Sequence, residues 1–334
     1  MGQTYFDDYH FFVVQSGKTR EITNWISDAE AVDDLDALSV EVSCTVLRNN
    51  RTDKLSPWPG IEAGDKLVIR NAGSGREVFS GVILQVGQDG SICANDPGWY
   101  LTKSEIILQC SKVSAKAAVQ QMCAKAGIAA GIIDLPGTVI NNAWFGTTPE
   151  SILQDILAIC TAETGKQYKR RVHSGRLDVR PLSNTAVRIW HKPARNLAAF
   201  DVTGAKGEIT GTDSMEEMVN SYILTEDSSS ANVLGRAQDS ASIAKYGLLQ
   251  RVETLGGDEN TAQAKARLKT QLATYNKVTQ ERTVTQLWGA DEVESGIVIR
   301  FAPNQYDVSG NMRVTSVTHK YGHPHLMSVT VEKI

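Results

Sequence analysis

Two stretches of this chain share one pattern: Gly64-Asp65-Lys66-Leu67-Val68-Ile69-Arg70 near its beginning and Gly296-Ile297-Val298-Ile299-Arg300 near its end. In each, a run of β-favouring residues follows a glycine and precedes a loop, a Ser-Gly pair and a second strand-like segment. The pairs are Ser80-Gly81 and Ser309-Gly310. If the repeat is genuine, one chain carries two similar small β-barrels. Short β segments also match by chance, and coincidence is the alternative explanation.

The residues around the first stretch have the period of β-strands. Apolar side chains alternate with polar ones at Leu38, Val40, Val42, Cys44 and Val46. Period two places one set on a core face and the other on the opposite face. Further strands are predicted over Lys66–Arg70 and Val78–Val86, on either side of the flexible turn Ala72-Gly73-Ser74-Gly75.

The middle of the chain has helical periodicity. Ser114 is a candidate N-cap, and Gly127 is a candidate C-terminal residue of the same helix. A second helix is predicted from Thr148-Pro149 to about Gly165, because proline is tolerated in a first turn. A polar hairpin follows, with strands over Lys166–Val172 and Arg176–Pro181, so this part is predicted to be one small α+β domain.

The last part returns to β-strands around one inserted helix. The helix is predicted over 261–277, after the polar turn Gly256-Gly257-Asp258. Strands are predicted near Arg282–Trp288, Gly296–Phe301, Met312–Thr318 and Met327–Val331, with Asn304, Asp307 and His323-Pro324 in turns. The whole sequence therefore predicts a multidomain α+β chain that is mainly β.

Composition excludes several classes of protein. The 334 residues include 34 basic and 38 acidic side chains, and the net charge of -4 gives no general attraction to nucleic acid or acidic lipid. The five cysteines form no CxxC pair, and their odd number fits reduced thiols. The first ten residues do not resemble a signal peptide, and no apolar run approaches the roughly 20 residues of a membrane span.

The sequence contains no specific catalytic motif. GxSxG, GxxxxGK[ST] and HExxH are absent, and Gly256-Gly257 lacks the spacing of a dinucleotide-binding loop. The carboxylate pairs Asp33-Asp34 and Glu216-Glu217 could serve a glycosidase only if they faced one another across a cleft. We therefore predict no catalytic residues and no cofactor.

His319, His323 and His325 form the most suggestive cluster, in the sequence HKYGHPH. Alternate histidines can share one face of a strand and bind a metal ion. Gly322 and Pro324 favour the other interpretation, a turn between two strands. The turn is the interpretation we adopt, with these three histidines as the candidate metal ligands.

A basic run spans the predicted polar hairpin: Lys166, Lys169, Arg170, Arg171, His173, Arg176 and Arg180. Such a run could contact phosphates, but only Tyr168 lies within it as a platform for base stacking. The alternatives are a solvated hairpin face or salt bridges with a partner chain. We predict no specific nucleic-acid site.

Several motifs occur in an order that resembles one family. They are Asn95-Asp96-Pro97-Gly98-Trp99-Tyr100-Leu101-Thr102-Lys103-Ser104, Met122–Ile128, Met218–Tyr222, Ser242–Gln250, Val314–His319 and Leu326–Val331. In this order and spacing the chain resembles the XkdQ-like hub proteins of contractile-tailed phages, defective prophages and tailocins. The resemblance covers nearly the whole chain.

The resemblance implies two tube-like β-barrel domains, 1–105 and 206–334, around an α+β middle domain, 106–205. It implies a homotrimer whose barrels form a pseudo-sixfold ring joining the tail tube to the central spike. The expected partners are further copies of the chain, the tail tube protein, the central spike protein, and the baseplate wedge and tape-measure proteins. No membrane partner and no enzymatic activity are implied. The expected location is a virion or phage-like particle, assembled in the cytoplasm of the bacterial host.

A hub of this kind must let its cargo slide through the lumen. Strong basic clusters should therefore face away from the channel, which predicts that Lys169, Arg170 and Arg171 lie off it. Two other functions remain open from the residues alone. A tail-associated peptidoglycan hydrolase would turn over cell-wall substrate, and a host-surface glycan-binding module would bind sugar as a monomer.

Overall fold

The computed structural model describes residues 8–47, 60–173, 175–191, 200–204, 208–227, 229, 232–255, 260–301 and 308–334. The predicted turns at Gly256-Gly257-Asp258, Asn304 and Asp307 lie outside these residues. No helix in the described ranges combines the length and the apolar character of a membrane span.

The first β unit has seven described strands and a core of its own. The predicted alternation is confirmed, since Val42, Cys44 and Val46 are buried between exposed or half-buried neighbours. The strands are β1 (Tyr9–Gln15), β2 (Lys18–Glu21), β3 (Ile26–Asp34), β4 (Glu41–Val46), β5 (Lys66–Asn71), β6 (Arg76–Val86) and β7 (Ser91–Asn95).

The middle part is the predicted α+β unit. Its two longer helices bury their apolar stripes against sheet residues in one cluster that includes Leu108, Ile140 and Leu177. The elements are α1 (Trp99–Lys103), β8 (Ile106–Ser114), α2 (Ala115–Ala126), β9 (Ala129–Ile133), β10 (Val139–Thr147), α3 (Pro149–Thr164), β11 (Tyr168–His173) and β12 (Arg176–Pro181).

The predicted helix ends are confirmed. Ser114 Oγ accepts a hydrogen bond from the Ala117 amide, and Thr148 Oγ1 accepts one from the Ser151 amide. Gly127 and Gly165 end α2 and α3, each with φ of +71°. This left-handed conformation favours glycine, which lacks a Cβ.

The second β unit begins before the predicted boundary at residue 206. Its first strand, at 186–187, pairs with a strand near the C-terminus, because the chain leaves the middle unit at Pro181 and crosses directly to that sheet. The strands here are β13 (Ala186–Val187), β14 (Trp190–His191), β15 (Phe200–Asp201) and β16 (Ile209–Ser214).

A small separate unit is inserted after β16. The predicted helix is present and packs Ala264 and Leu268 on a three-stranded sheet, so the insertion contains more than the helix that periodicity indicated. Its elements are β17 (Ser221–Thr225), β18 (Val233–Gln238), α4 (Ser240–Tyr246), β19 (Gln250–Thr254) and α5 (Thr261–Tyr275). The second β unit then resumes with β20 (Thr279–Trp288), β21 (Val298–Phe301), β22 (Gly310–Tyr321) and β23 (Leu326–Lys333).

The two β units have the same strand order. Neighbouring strands run β1-β5-β6-β7-β4-β3 in the first unit and β13-β21-β22-β23-β20-β16 in the second. With β2, the separate β14–β15 pair and the strands of the insertion left out, each unit reads 1-4-5-6-3-2 when its strands are numbered in chain order. One difference is that β1 is antiparallel to β5, whereas the two-residue β13 is parallel to β21.

The hairpins at the centre of each unit also share their register. The pair Lys66–Val82 in the first unit is equivalent to Val298–Arg313 in the second. The next three pairs follow without a shift in either hairpin, as far as Ile69–Phe79 and Phe301–Gly310. An irregularity follows in both units, between Ile83 and Gln85 in β6 and between Val314 and Ser316 in β22. Gly64 precedes β5 and Gly296 precedes β21, and both have positive φ. The Gly64 amide donates to the Ile83 carbonyl, and the Gly296 amide donates to the Val314 carbonyl, in each case just before the irregularity.

The pairing corrects the alignment suggested by the sequence. The letters match Leu67 with Ile297, whereas the ladders make Leu67 equivalent to Ile299. A shift of two residues leaves each side chain on the same face of its strand, so the apolar pattern survives it. The two Ser-Gly pairs are not equivalent, since Gly81 pairs with Leu67 and Gly310 with Phe301.

Candidate functional site at the junction of the β units

The two β units are joined by main-chain pairing. Residues Ala29–Asp34 of β3 pair with Ser316–Tyr321 of β22, which makes one sheet of 13 described strands. Lys320 Nζ lies 2.9 Å from Glu30 Oε1 across this pairing. Asp33 accepts hydrogen bonds from the backbone amide and the hydroxyl of Ser295, at 3.0 and 2.8 Å. The junction is therefore fixed by backbone and side chains together.

Glu294 connects all three large parts of the chain. Its carboxylate forms ion pairs with Arg76 of the first β unit at 3.5 Å, with Lys169 of the middle unit at 3.4 Å, and with Arg171. Burial by itself would raise the pKa of Glu294, but Arg171 and Lys169 outweigh it and lower that pKa. Burial likewise disfavours the charged form of Arg171, yet Glu294 and Asp33 raise its pKa.

The basic run is divided between two environments. Lys169 and Arg171 bind Glu294, while Arg170 donates to the Asp36 carbonyl and lies 3.9 Å from Glu150. These three residues thus bind acceptors of their own chain, which was not among the predicted alternatives. The rest of the run is exposed: Lys166, His173, Arg176 and Arg180.

The three histidines lie at a hairpin turn, as the sequence predicted. β22 ends at Tyr321 and β23 begins at Leu326, with His323 exposed between them. His319 and His325 are buried instead of presenting an open face. In the described part of the chain, no group of three or more His, Cys, Asp or Glu side chains is arranged to hold a metal ion.

His319 and His325 belong to a hydrogen-bonded chain between the units. His319 Nε2 lies 2.9 Å from the Val293 carbonyl, and its Nδ1 lies 3.1 Å from His325 Nε2. His325 Nδ1 is 2.9 Å from the Tyr9 hydroxyl, which donates to Asp291 at 2.6 Å. Burial, and then the neighbouring His325, lower the pKa of His319 to about 4. Burial thus favours the neutral form of His319.

Sequence reasoning did not identify Glu294, Asp291 or Tyr9. Each lies far along the chain from its partners, and no local spacing links them. Tyr9, for example, reaches a histidine 316 residues away. The available signals were a tyrosine at the start of an apolar strand and acidic residues in the connection between two strands, and both are too common to be diagnostic.

Each strand of the β3–β22 junction has an equivalent in the other β unit, and among the described strands these two equivalents are not paired with each other. β16 occupies the position of β3 in its unit, and the end of β6 occupies the position of the end of β22. β16 is the last strand of the described sheet, and most of its residues are exposed. On the β5 side of Leu84–Val86, no described strand is paired.

Solved phage tail proteins have a similar fold. The structure is similar to a 43 kDa tail protein of prophage MuSo2 from Shewanella oneidensis, with a TM-score of 0.65 and 14% identity, covering 96% of this chain and 98% of that one. A tail protein from Neisseria meningitidis MC58 gives a TM-score of 0.64 at 13% identity, covering 97% and 96%. A type VI secretion component of E. coli, c3393, gives 0.51 at 11% identity, covering 99% and 74%.

The sequence comparisons are more specific. The YQBQ-like family model matches residues 35–332, and the chain belongs to that family. It is 24% identical over 299 residues to protein XkdQ of the phage-like element PBSX from Bacillus subtilis, covering 88% of this chain and 87% of XkdQ. The predicted resemblance to XkdQ-like proteins is therefore confirmed.

Proposed function

We propose that this protein is the baseplate hub of a contractile tail or phage-like particle. Three copies would form a ring of six β units that joins the sixfold tail tube to the threefold central spike. The observation that carries the proposal is the pair of β units with one strand order and one register within a single chain. Three such chains present six near-equivalent units while keeping true threefold symmetry.

The partners follow from that position. The proposed domains are the predicted ones, 1–105, 106–205 and 206–334, with the second β unit drawing its first strand from 186–187. The two β units would contact the tube protein on one side of the ring and the spike on the other. Fold relatives support this choice, because c3393 is described as similar to the phage T4 tail proteins gp27 and gp5. Wedge and tape-measure proteins remain expected neighbours.

The proposed role is mechanical and not enzymatic. The charged groups at the junction connect units of the chain, as Glu294 does with three cations. Lys169, Arg170 and Arg171 are engaged there, which supports the prediction that they lie off the channel. The protein would act as part of the particle through which the genome or another cargo passes.

Native mass spectrometry of the full chain, alone and mixed with its spike partner, tests the proposal. We expect trimers, and negative-stain images of the complex should show a six-lobed ring. A chain that stays monomeric with the spike, or that hydrolyses peptidoglycan as pure protein, would exclude the hub function.

A further inference from the structure

We propose that the ring closes by strand pairing between β16 of one copy and the end of β6 in the next. This inference rests on the proposed ring and specifies the contact that repeats around it. The partner is a second copy of this chain. The reason is that β3 and β22, which are the equivalents of β16 and β6, already pair with each other inside one chain.

The junction within the chain supplies the template. There, β3 of the first unit pairs with the end of β22 in the second, with Asp34 opposite Ser316 and Asp33 opposite Val317. The Leu35 amide also donates to the Thr315 carbonyl at 2.8 Å. A ring of alternating units needs the complementary contact, in which the second unit supplies its β3 equivalent and the first supplies its β22 equivalent.

The ladders identify those equivalents residue by residue. In the first unit, Glu30 of β3 pairs with Ser43 of β4. In the second unit, Thr210 of β16 pairs with Thr283 of β20. Ser43 and Thr283 are equivalent residues of the two units, so Glu30 is equivalent to Thr210. Asp33 and Asp34 thus correspond to Asp213 and Ser214. In the same way, Ser316 and Val317 correspond to Gln85 and Val86, the first residues after the shared irregularity.

The backbone of β16 has the alternation that this pairing requires. The Glu208 carbonyl accepts from the Thr285 amide, so residue 208 directs its backbone groups toward β20. In a regular antiparallel ladder the odd-numbered residues then direct their groups outward. The backbone groups of Met215 are therefore directed outward, just as those of its equivalent Leu35 are directed toward β22. An exposed edge strand of this kind is a template for pairing with another chain.

The predicted contact between copies is shorter than the template. The β6–β7 hairpin turns at Gly87, whose amide donates to the Ser91 carbonyl, whereas β22 continues to Tyr321 before its turn. The contact therefore centres on Gln85 opposite Ser214 and Val86 opposite Asp213 of the next copy. Because it joins different edges of identical chains, the contact propagates in one direction, and the threefold rotation of the proposed hub closes it into a ring.

Disulfide trapping tests this register. Gln85→Cys and Ser214→Cys are placed together in the full chain, with Cys93→Ser because Cys93 is the cross-strand neighbour of Gln85. The other native cysteines are buried. The matched control is Asp34→Cys with Ser316→Cys on the same background, which recreates the template pair within one chain.

Oxidation should convert the test variant to covalent dimers and closed trimers on a non-reducing gel, and reduction should return it to monomer. The control should form its disulfide without any increase in mass. Trimers seen by native mass spectrometry that do not crosslink would overturn the assigned edges and leave the hub function intact. A chain that remains monomeric with its spike partner would overturn both proposals.

Discussion

Glu294 shows how single residues hold the units of this chain in place. Its carboxylate binds cations from the first β unit and from the middle unit, while its backbone belongs to the second. A partly buried carboxylate that neutralises several cations is costly to remove, because the cations then lose their counter-charge away from bulk water. Rigid placement of the units depends on this carboxylate.

Glu294→Gln should lower the free energy of unfolding by on the order of 3 kcal/mol, because it removes the acidic ion-pair partner of Lys169 and the strongest counter-charge of Arg171. Urea denaturation followed by circular dichroism would measure the loss. The control is Glu30→Gln, which breaks the more exposed pair with Lys320 across the same junction. That change should cost less than about 1 kcal/mol. Equal losses in the two variants would contradict the role given to Glu294.

Acidification should destabilise the protein through His319. Its pKa falls from 6.5 to about 4 on folding, so its stabilising contribution is complete above pH 6.5 and is lost as the pH falls toward 4. The loss is on the order of 3 kcal/mol if the unfolded histidine titrates normally. Thermal unfolding between pH 7.5 and 4 would measure it. His319→Asn should be less stable at pH 7.5 and should lose less on acidification, and parallel pH curves would contradict this account.

At the scale of elements, the sequence was informative wherever structure is local. Ser114, Gly127, Thr148 and Gly165 mark helix ends because a side-chain cap or a positive φ is a local requirement. The three-stranded sheet of the insertion escaped prediction. Its strand β17 pairs in parallel with β19, and the order β18-β17-β19 is fixed by packing against α5, which periodicity cannot reveal.

The insertion should be removable as one element. Ser214 at the end of β16 pairs directly with Thr279 at the start of β20, so a two-residue Asn-Gly turn can replace residues 215–278. Helix α5 of the insertion packs against α3, so the excision exposes one face of α3. We expect the shortened chain to fold and its Tm to fall by only about 5 °C. Differential scanning calorimetry would measure this.

Leu268→Ala is the control for that excision, because it weakens only the core that α5 shares with its own sheet. It should cost about 2–5 kcal/mol in the insertion and leave the main transition unchanged. A shortened chain that aggregates would show that the insertion is integral to the second β unit.

At the scale of the whole molecule, the repeat was visible in the sequence, but its alignment was not. Gly64 and Gly296 occupy equivalent positions in the two units. The similar apolar residues that follow them, however, align two residues away from the true equivalents. The sequence does not reveal this error, because a shift of two residues leaves the alternation of a strand unchanged. The junction between β3 and β22 left no local signal. Its partners, such as Asp33 and Ser295, lie 262 residues apart.

Cryo-electron microscopy of the assembled baseplate tests the central claim most directly. Three copies should each place two adjacent β units on the pore, so that β3–β22 contacts within chains alternate with β16–β6 contacts between chains. Lys169, Arg170 and Arg171 should lie off the channel wall. A pore lined by six copies that each contribute one β unit, with the second unit elsewhere, would contradict the account.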